Sequence, residues 1–467
     1  MKKLITLFAT LLAVFAVQGQ PITGQWSGIL KVQGVELTLV FNIHETEEGL
    51  SASMDSPDQG AFGIQVTTIT FRDSVLMMEV APAGIQYEGI VRGEVIQGVF
   101  IQAGQEFPLN LSHKPLEDQQ TKRPQEPQPP YPYHSEEIIF HNQQAGINLS
   151  GTLTLPEKEG RFPAVILISG SGPQNRDEEV FGHKPFLVLA DHLTRKGIAV
   201  LRFDDRGVGQ SEGDFAQATS YDFAEDVEHG LDFLLARNDI ETEHIGLLGH
   251  SEGGMIAPIV AAERPGDVGF IVLLAAPGVP GRELLLMQQQ AIGQASGLPA
   301  EEMQKNRQIN EKLFQMLRDS ENEAQLRQDI TQYLEEAFAD TSSIPPGMSR
   351  EQFISMQVQQ LASPWMINFL AFDPATVLRK VEAPVLAING SKDLQVPAQE
   401  NLQAIEQALE QGGNEDVTAM PLEGLNHLFQ ESQSGLPNEY GTIKQTFSPI
   451  ALEVISSWIV SKTTEAP

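Results

Sequence analysis

Beyond residue 135 the chain repeats one pattern: a short, almost unbroken apolar run, then a stretch of helical period. The runs are Ala164–Ile168, Ala199–Phe203, Ile245–Leu248, Phe270–Leu274 and Pro384–Ile388, with a shorter one near Val417–Met420. Helical stretches fall at Phe186–Lys196, Tyr221–Ala236, Gly253–Ala262, Gln399–Leu409 and Pro449–Val460. In the second of these, Phe223, Ala224, Val227, Leu231, Leu234 and Leu235 share one face. A strand that is apolar on both faces must be covered on both faces. A mostly parallel sheet with crossover helices supplies that cover. The pattern therefore predicts an α/β domain over 135–467, opened by a hairpin at Glu137–Phe140 and Leu149–Leu155.

The alternation breaks once. Residues 281–375 are rich in Gln, Glu, Met and Leu and carry only helical periods, such as Ile309, Leu313, Met316 and Leu317. This reads as a helical block inserted into the sheet domain, placed to act as a cap. At 467 residues the chain is long enough for more than one core. Residues 20–113 supply a second one. Val35, Leu37, Leu39, Phe41 and Ile43 alternate with a period of two, and short runs at Ser74–Val80 and Val95–Ile101 follow. A small antiparallel sandwich or barrel is expected there. Residues 114–134, with six prolines from Pro115 to Pro132, read as an extended linker.

Residues 1–19 combine Lys2 and Lys3 with an apolar run from Leu4 to Val17 and small residues before Gln20. That is the form of a secretory signal peptide, too short for the roughly 20 residues of a spanning helix. A periplasmic or secreted protein without a membrane span is expected. There are no cysteines, so neither disulfides nor thiolate zinc sites arise. The excess of 62 acidic over 30 basic residues repels phosphate backbones, which argues against nucleic-acid partners.

Within the sheet domain the template Gly-x-Ser-x-Gly occurs twice, at Gly249–Gly253 and at Gly209–Gly213. Flanking sequence separates them. Ser251 follows the apolar run Ile245–Leu248 and precedes Met255–Val260, the strand-turn-helix setting of a nucleophile elbow. There a serine is forced into a strained conformation that lifts its hydroxyl clear of the sheet, and the flanking glycines make room. Ser211 follows the loop Asp204–Gly209 and no apolar helix follows it, so it reads as structural.

A serine hydroxyl needs a base. Of ten histidines only His427 lies after Ser251, in the loop Gly424-Leu425-Asn426-His427 behind the last short strand. The orienting carboxylate belongs in the loop after Pro384–Ile388, where Asp393 sits; Glu382 and Glu400 are poorer placed. Two backbone donors would hold the oxyanion: the N–H of Glu252, directly after the nucleophile, and an N–H from the glycine-rich loop Ser169–Pro173, with Ser171 first and Gly172 as the alternative.

These segments together resemble the α/β-hydrolase superfamily, and within it bacterial exported esterases of the serine aminopeptidase-like group. The resemblance is carried by Gly170-Ser-Gly-Pro-Gln-Asn-Arg-Asp177, Phe203–Gly213, Gly249–Gly253, Ser391-Lys392-Asp393 and Gly424–His427, and covers about residues 135–463. The first 113 residues resemble the small β-domain that often precedes such hydrolases. Many members carry His-Gly before the oxyanion residue, where this chain has Ser169-Gly170. The resemblance implies that Asp204–Gly209 is an architectural turn.

The expected activity is hydrolysis of small or medium carboxylic esters through an acyl-enzyme, without metal or organic cofactor. Trp365, Phe369 and Phe372, at the end of the insertion, are the candidate acyl-pocket residues. A peptidase removing N-terminal residues of short peptides is the first alternative and would need carboxylates such as Glu283 or Glu335 for the substrate ammonium. A non-catalytic binding protein is the second.

Overall fold

The structure, a computed structural model, describes residues 22–32, 35–46, 49–56, 61–102, 105–113, 123–320, 322–339 and 349–464. The apolar leader at 1–19 and the first part of the linker, 114–122, lie outside them.

Among the described residues the N-terminal unit holds nine strands: β1 (Gly24–Val32), β2 (Val35–Thr46), β3 (Gly49–Ser56), β4 (Ala61–Gln65), β5 (Thr68–Arg72), β6 (Val75–Val80), β7 (Ile85–Arg92), β8 (Val95–Gln102) and β9 (Gln105–Ser112). They form one antiparallel sheet in the order β4-β3-β2-β1-β9-β8-β7-β6-β5. Its two edge strands are consecutive in sequence. At the corner between them, Val66 N–H donates to Ala52 O at 3.0 Å and Thr67 N–H to Glu79 O at 2.7 Å. The sheet thus curls until its edges meet. Its concave side is filled by Trp26, Phe41, Tyr87 and Phe100, among others. Gly89 and Gly98 leave room for the Tyr87 ring: a Cβ at Gly98 would stand 2.4 Å from the hydroxyl. That hydroxyl donates to Leu109 O at 3.1 Å, so burying it strands no polar atom.

Arg123 and Gln125 bind the linker to the second unit. The Arg123 guanidinium donates to the carbonyls of Gly182, Phe181, Gly441 and Ile443. Gln125 bridges Thr446 N–H and Phe447 O. The segment turns at Glu126, whose N–H donates to Arg123 O at 3.1 Å, and its polar side chains fasten it down.

The second unit is built on eight strands: β10 (His134–Asn142), β11 (Ile147–Leu155), β12 (Phe162–Ile168), β13 (Ala199–Phe203), β14 (Ile240–His250), β15 (Phe270–Leu274), β16 (Val385–Gly390) and β17 (Val417–Leu422). Their order is β10-β11-β13-β12-β14-β15-β16-β17. The opening hairpin and the β11–β13 pair are antiparallel; every later pair is parallel. Helices α1 (Pro185–Arg195), α2 (Ser220–Leu235) and α3 (Gly253–Glu263) follow β12, β13 and β14.

Side chains alternate between two cores. Ala164, Ile166 and Ile168 of β12 join the cluster that holds α2 and α3. Val165 and Leu167 join the opposite cluster with α1. Full burial of each Val, Leu or Ile contributes about 1.5–3 kcal/mol, which is why these strands carry no polar face.

Between β15 and β16 the described residues form an insertion of α4 (Gly281–Ala295), α5 (Ala300–Asp319), α6 (Glu323–Ala337), α7 (Arg350–Leu361) and α8 (Pro364–Ala371), ahead of a short α9 (Ala375–Leu378). They own a core of Leu313, Phe314, Leu317, Ile330, Leu334 and Ile354, among others. Their two stems touch: Gly281 N–H donates to Phe372 O at 3.0 Å, and a Cβ at Gly281 would stand 1.9 Å from Phe369 O. The chain then returns through α9 (Ala375–Leu378) and β16 to α10 (Ala398–Gln411), β17 and α11 (Pro449–Thr464). Helix α10 joins the α2–α3 face and α11 the α1 face.

Candidate active site

Strand β14 ends at His250, α3 begins at Gly253, and the chain reverses within two residues. Ser251 takes φ = 52°, a left-handed conformation that few non-glycine residues adopt. Its N–H donates to Leu274 O at 2.8 Å and Gly254 N–H donates to Ser251 O at 2.9 Å, which hold the bend in place. Only glycine fits around it. A Cβ at Gly249 would lie 2.0 Å from Gly253 O, and one at Gly253 would lie 2.1 Å from Ile168 O.

The other template match is built differently. Ser211 is buried, donates to Asp204 O at 2.7 Å and accepts Ser150 N–H at 2.9 Å. Its hydroxyl is fully used in fastening the Asp204–Gly209 turn to β11. Arg176 adds to that turn with two contacts to the Asp204 carboxylate, at 3.0 and 2.8 Å.

Asp393 and His427 come from the loops after β16 and β17. His427 Nδ1 stands 2.7 Å from Asp393 Oδ2, and both side chains are buried. Asp393 Oδ1 accepts the N–H groups of Gln395 at 2.8 Å and Val396 at 2.9 Å, so the carboxylate cannot rotate. The His427 turn is organised by Asn426, wholly buried, whose Oδ1 accepts the N–H groups of Leu428 and Gln430 at 3.0 and 2.9 Å. Ser251 meets His427 through its neighbour: His250 Nε2 lies 2.9 Å from His427 O, and the two imidazole centroids are 4.8 Å apart. Among the described residues the Ser251 hydroxyl is bonded to no protein group, His427 included. Such contacts are often long before substrate arrives and tighten in the Michaelis complex.

The loop after β12 passes over the serine; a Cβ at Gly170 would stand 3.2 Å from Ser251 Cβ. Glu178 Oε1 takes the Gly170 N–H at 2.8 Å. The N–H groups of Ser171 and Glu252 donate to no acceptor among the described residues and remain open. Asp205 ties the loop from behind, accepting the Ser169 hydroxyl at 2.8 Å and Gln174 N–H at 2.9 Å. Burial pushes the Asp205 carboxyl well above its ordinary value, against those two donors. Beside Glu252 a cavity of about 20 Å³ is lined by Ser169, Gly170, Asp205, Asp226, Glu252 and Ile256. It has the size of one water molecule.

Glu252 is 3% exposed. Its Oε1 accepts the Ser220 hydroxyl at 2.6 Å and the Trp365 indole N–H at 2.7 Å. Burial raises its carboxyl above the usual range, and the two donors oppose that. Trp365 therefore reaches from α8 to the residue behind the nucleophile. It stacks on Phe369, centroids 5.0 Å apart. Phe369 and Phe372 are each 5% exposed and belong to the core that joins the insertion to the sheet. Glu283 and Glu335 are exposed on the insertion's surface. The sequence reading did not single out Glu178, His250, Asn426 or Asp205. Each acts through a partner remote in sequence or through backbone groups, which no motif reports.

Residues 184–340 match the family model described as serine aminopeptidase, S33. The esterase EstD of Thermotoga maritima is 27% identical over 328 residues, covering 69% of this chain and 68% of that one. The monoglyceride lipase of Homo sapiens is 38% identical over 88 residues, 19% of this chain and 28% of the lipase. The chain is similar to serine hydrolases of this group. Among solved structures the hydrolase is similar to Est1E from Butyrivibrio proteoclasticus bound to ferulic acid, with 16% identity, coverage of 70% and 100%, and a TM-score of 0.42. It is also similar to the α/β-hydrolase GrgF from Penicillium sp. sh18, with 17% identity, coverage of 63% and 91%, and a TM-score of 0.41. By its relatives the hydrolase is carboxylesterase-like.

Proposed function

We propose that the protein hydrolyses small or medium carboxylic esters through an acyl-enzyme on Ser251, with His427 as base and Asp393 as its orienting carboxylate. The observation that carries this reading is the bonded Asp393–His427 pair standing beside a serine held at φ = 52°. Ser251 Oγ attacks the ester carbonyl carbon while His427 Nε2 takes its proton. The oxyanion is received by the open N–H groups of Glu252 and Ser171. The imidazolium then protonates the departing alcohol, and the same nitrogen activates water to release the acid.

The ester reading is favoured over an aminopeptidase by the charges nearby. A substrate ammonium needs an accessible carboxylate in the site. Glu283 and Glu335 face solvent, and Glu252 is buried with two donors already on it. The helical insertion is taken to cover the site, with Trp365 as the pocket wall nearest the nucleophile and Phe369 and Phe372 supporting it from the core. Residues 1–19 support export, and the acidic surface supports a small uncharged substrate over nucleic acid.

The test pairs p-nitrophenyl esters of increasing acyl length with the matching aminoacyl amides, on the wild type and on Ser251→Ala. Ester turnover that is lost with Ser251 and blocked by an organophosphonate supports the reading. Faster amide than ester cleavage, or activity retained in Ser251→Ala, overturns it.

A further inference from the structure

We propose that His250 stands as an imidazolium paired with Glu178, and that this buried pair positions the oxyanion loop and the His427 turn against the nucleophile. The proposal rests on the Ser251–His427–Asp393 reading given above.

Both ring nitrogens of His250 face oxygens that act as acceptors. Nε2 lies 2.9 Å from the carbonyl of His427, which can only accept. Nδ1 lies 2.8 Å from Glu178 Oε1, which also takes the Gly170 N–H at 2.8 Å. A neutral imidazole has one N–H and would turn a lone pair toward one of these oxygens. Two N–H groups satisfy both. Putting the proton on Glu178 instead would ask one oxygen to donate to Nδ1 while accepting from Gly170.

The pair joins the nucleophile's strand to the His427 turn and the oxyanion loop. His250 precedes Ser251 in the chain, its ring holds the backbone of His427, and Glu178 holds the loop that presents Ser171. Glu178 itself is 3% exposed and takes φ = 51°, a conformation costly for a side-chain-bearing residue. His250 and Glu178 are 72 residues apart, so the bond joins β14 to the loop before α1.

The electrostatic surroundings agree. Burial works against a charged His250, but the Glu178 carboxylate, the His427 carbonyl and Asp393 outweigh it, and the group is held above the ordinary histidine range. The titratable groups facing the ring are Glu178 from the loop before α1, His427 from the loop after β17, and Asp393 from the loop after β16. Phe429 closes another side, its ring centroid 6.4 Å away. Because the group's affinity for its proton is raised, the contact is complete at neutral pH and is lost as pH climbs through the raised value. Ester turnover then has an alkaline limb set by His250.

The test is histidine ring 15N NMR on the full chain, with the His250 signal identified by its loss in His250→Gln, alongside pH profiles of p-nitrophenyl ester hydrolysis. At about pH 7 both His250 ring nitrogens carry protons, in wild type and in Ser251→Ala alike. His250→Gln lowers kcat roughly 10- to 100-fold with KM within about two-fold. Glu178→Gln moves the alkaline limb down by about one pH unit or more. If His250→Gln does not fold, the Glu178→Gln profile and spectrum decide. A neutral His250 ring at pH 7, or an alkaline limb unmoved in Glu178→Gln, overturns the proposal. Hydrolysis retained in Ser251→Ala would instead refute the underlying triad while leaving the NMR result standing.

Discussion

Asp393→Asn is the most informative single change, because the structure dictates which way the new amide faces. Oδ1 of Asp393 accepts two backbone N–H groups, from Gln395 at 2.8 Å and Val396 at 2.9 Å. In the variant that position must be the amide oxygen. The NH2 group then points at His427 Nδ1, which Asp393 Oδ2 approaches to 2.7 Å. Nδ1 becomes an acceptor, the ring proton moves to Nε2, and the nitrogen meant to take the Ser251 proton already carries one. Recovering the productive tautomer requires flipping the amide, which turns its NH2 onto the two backbone donors and strands both. Each stranded buried donor costs about 1–3 kcal/mol, so the flip costs about 4 kcal/mol, or roughly 10³-fold in kcat. The assay is kcat for a p-nitrophenyl ester, with circular dichroism and thermal melting to show that the isosteric variant is folded. Asp393→Ala, which dictates no tautomer, should be no worse than Asp393→Asn despite losing the shape. An Asp393→Asn enzyme with more than about a tenth of wild-type kcat would refute the reasoning.

Ser211→Ala should keep its kcat but lose about 1–3 kcal/mol in urea unfolding, because it strands the Ser150 N–H in a buried place. Gly249→Ala should abolish activity and reduce soluble yield, since its Cβ would sit 2.0 Å from Gly253 O; a folded, active variant would show that the elbow is looser than described. His183 is wholly buried between Thr446 and Tyr440 O, and burial, aided by the Arg123 charge, pushes its pKa down to about 4. Its contribution is therefore present above the ordinary histidine pKa of about 6.5 and is lost as pH falls toward 4. Between pH 7.5 and 5 the wild type should lose about 2 kcal/mol more than His183→Gln, measured by urea unfolding at both values.

The sheet domain was legible because its signal is local. Val165 and Leu167 go to one face and Ile166 and Ile168 to the other, so each strand announces in five residues that it is covered twice. Ser251 was separable from Ser211 for the same reason: strand and helix abut the first and not the second. The single histidine after Ser251 made His427 easy to select. What stayed hidden depends on distance along the chain. Nothing near Glu178 indicates that it will meet His250, 72 residues on, and nothing near Trp365 points to Glu252, 113 residues back. The linker's contacts were hidden in a related way. Proline content describes a stiff, extended segment, but Arg123 and Ile443 are 320 residues apart and their contact has no local trace. Curling of the N-terminal sheet was also unreadable, because period-two alternation is the same in a flat sheet and a bent one.

Helices α4 to α8 hang from the sheet on a neck whose two sides are zipped by Gly281 and Phe372. A joint that narrow divides the chain's labour. Changes among Leu313, Ile330 or Ile354 alter a hydrophobic interior built from insertion residues, so the upper part can drift, shorten or be traded for another without disturbing the hydroxyl below. Leu284, Phe369 and Trp365 are exceptions, because they pack on the core beneath. The Trp365 indole hangs past the neck onto Glu252, so any replacement that alters its angle is felt one peptide bond from the reactive serine.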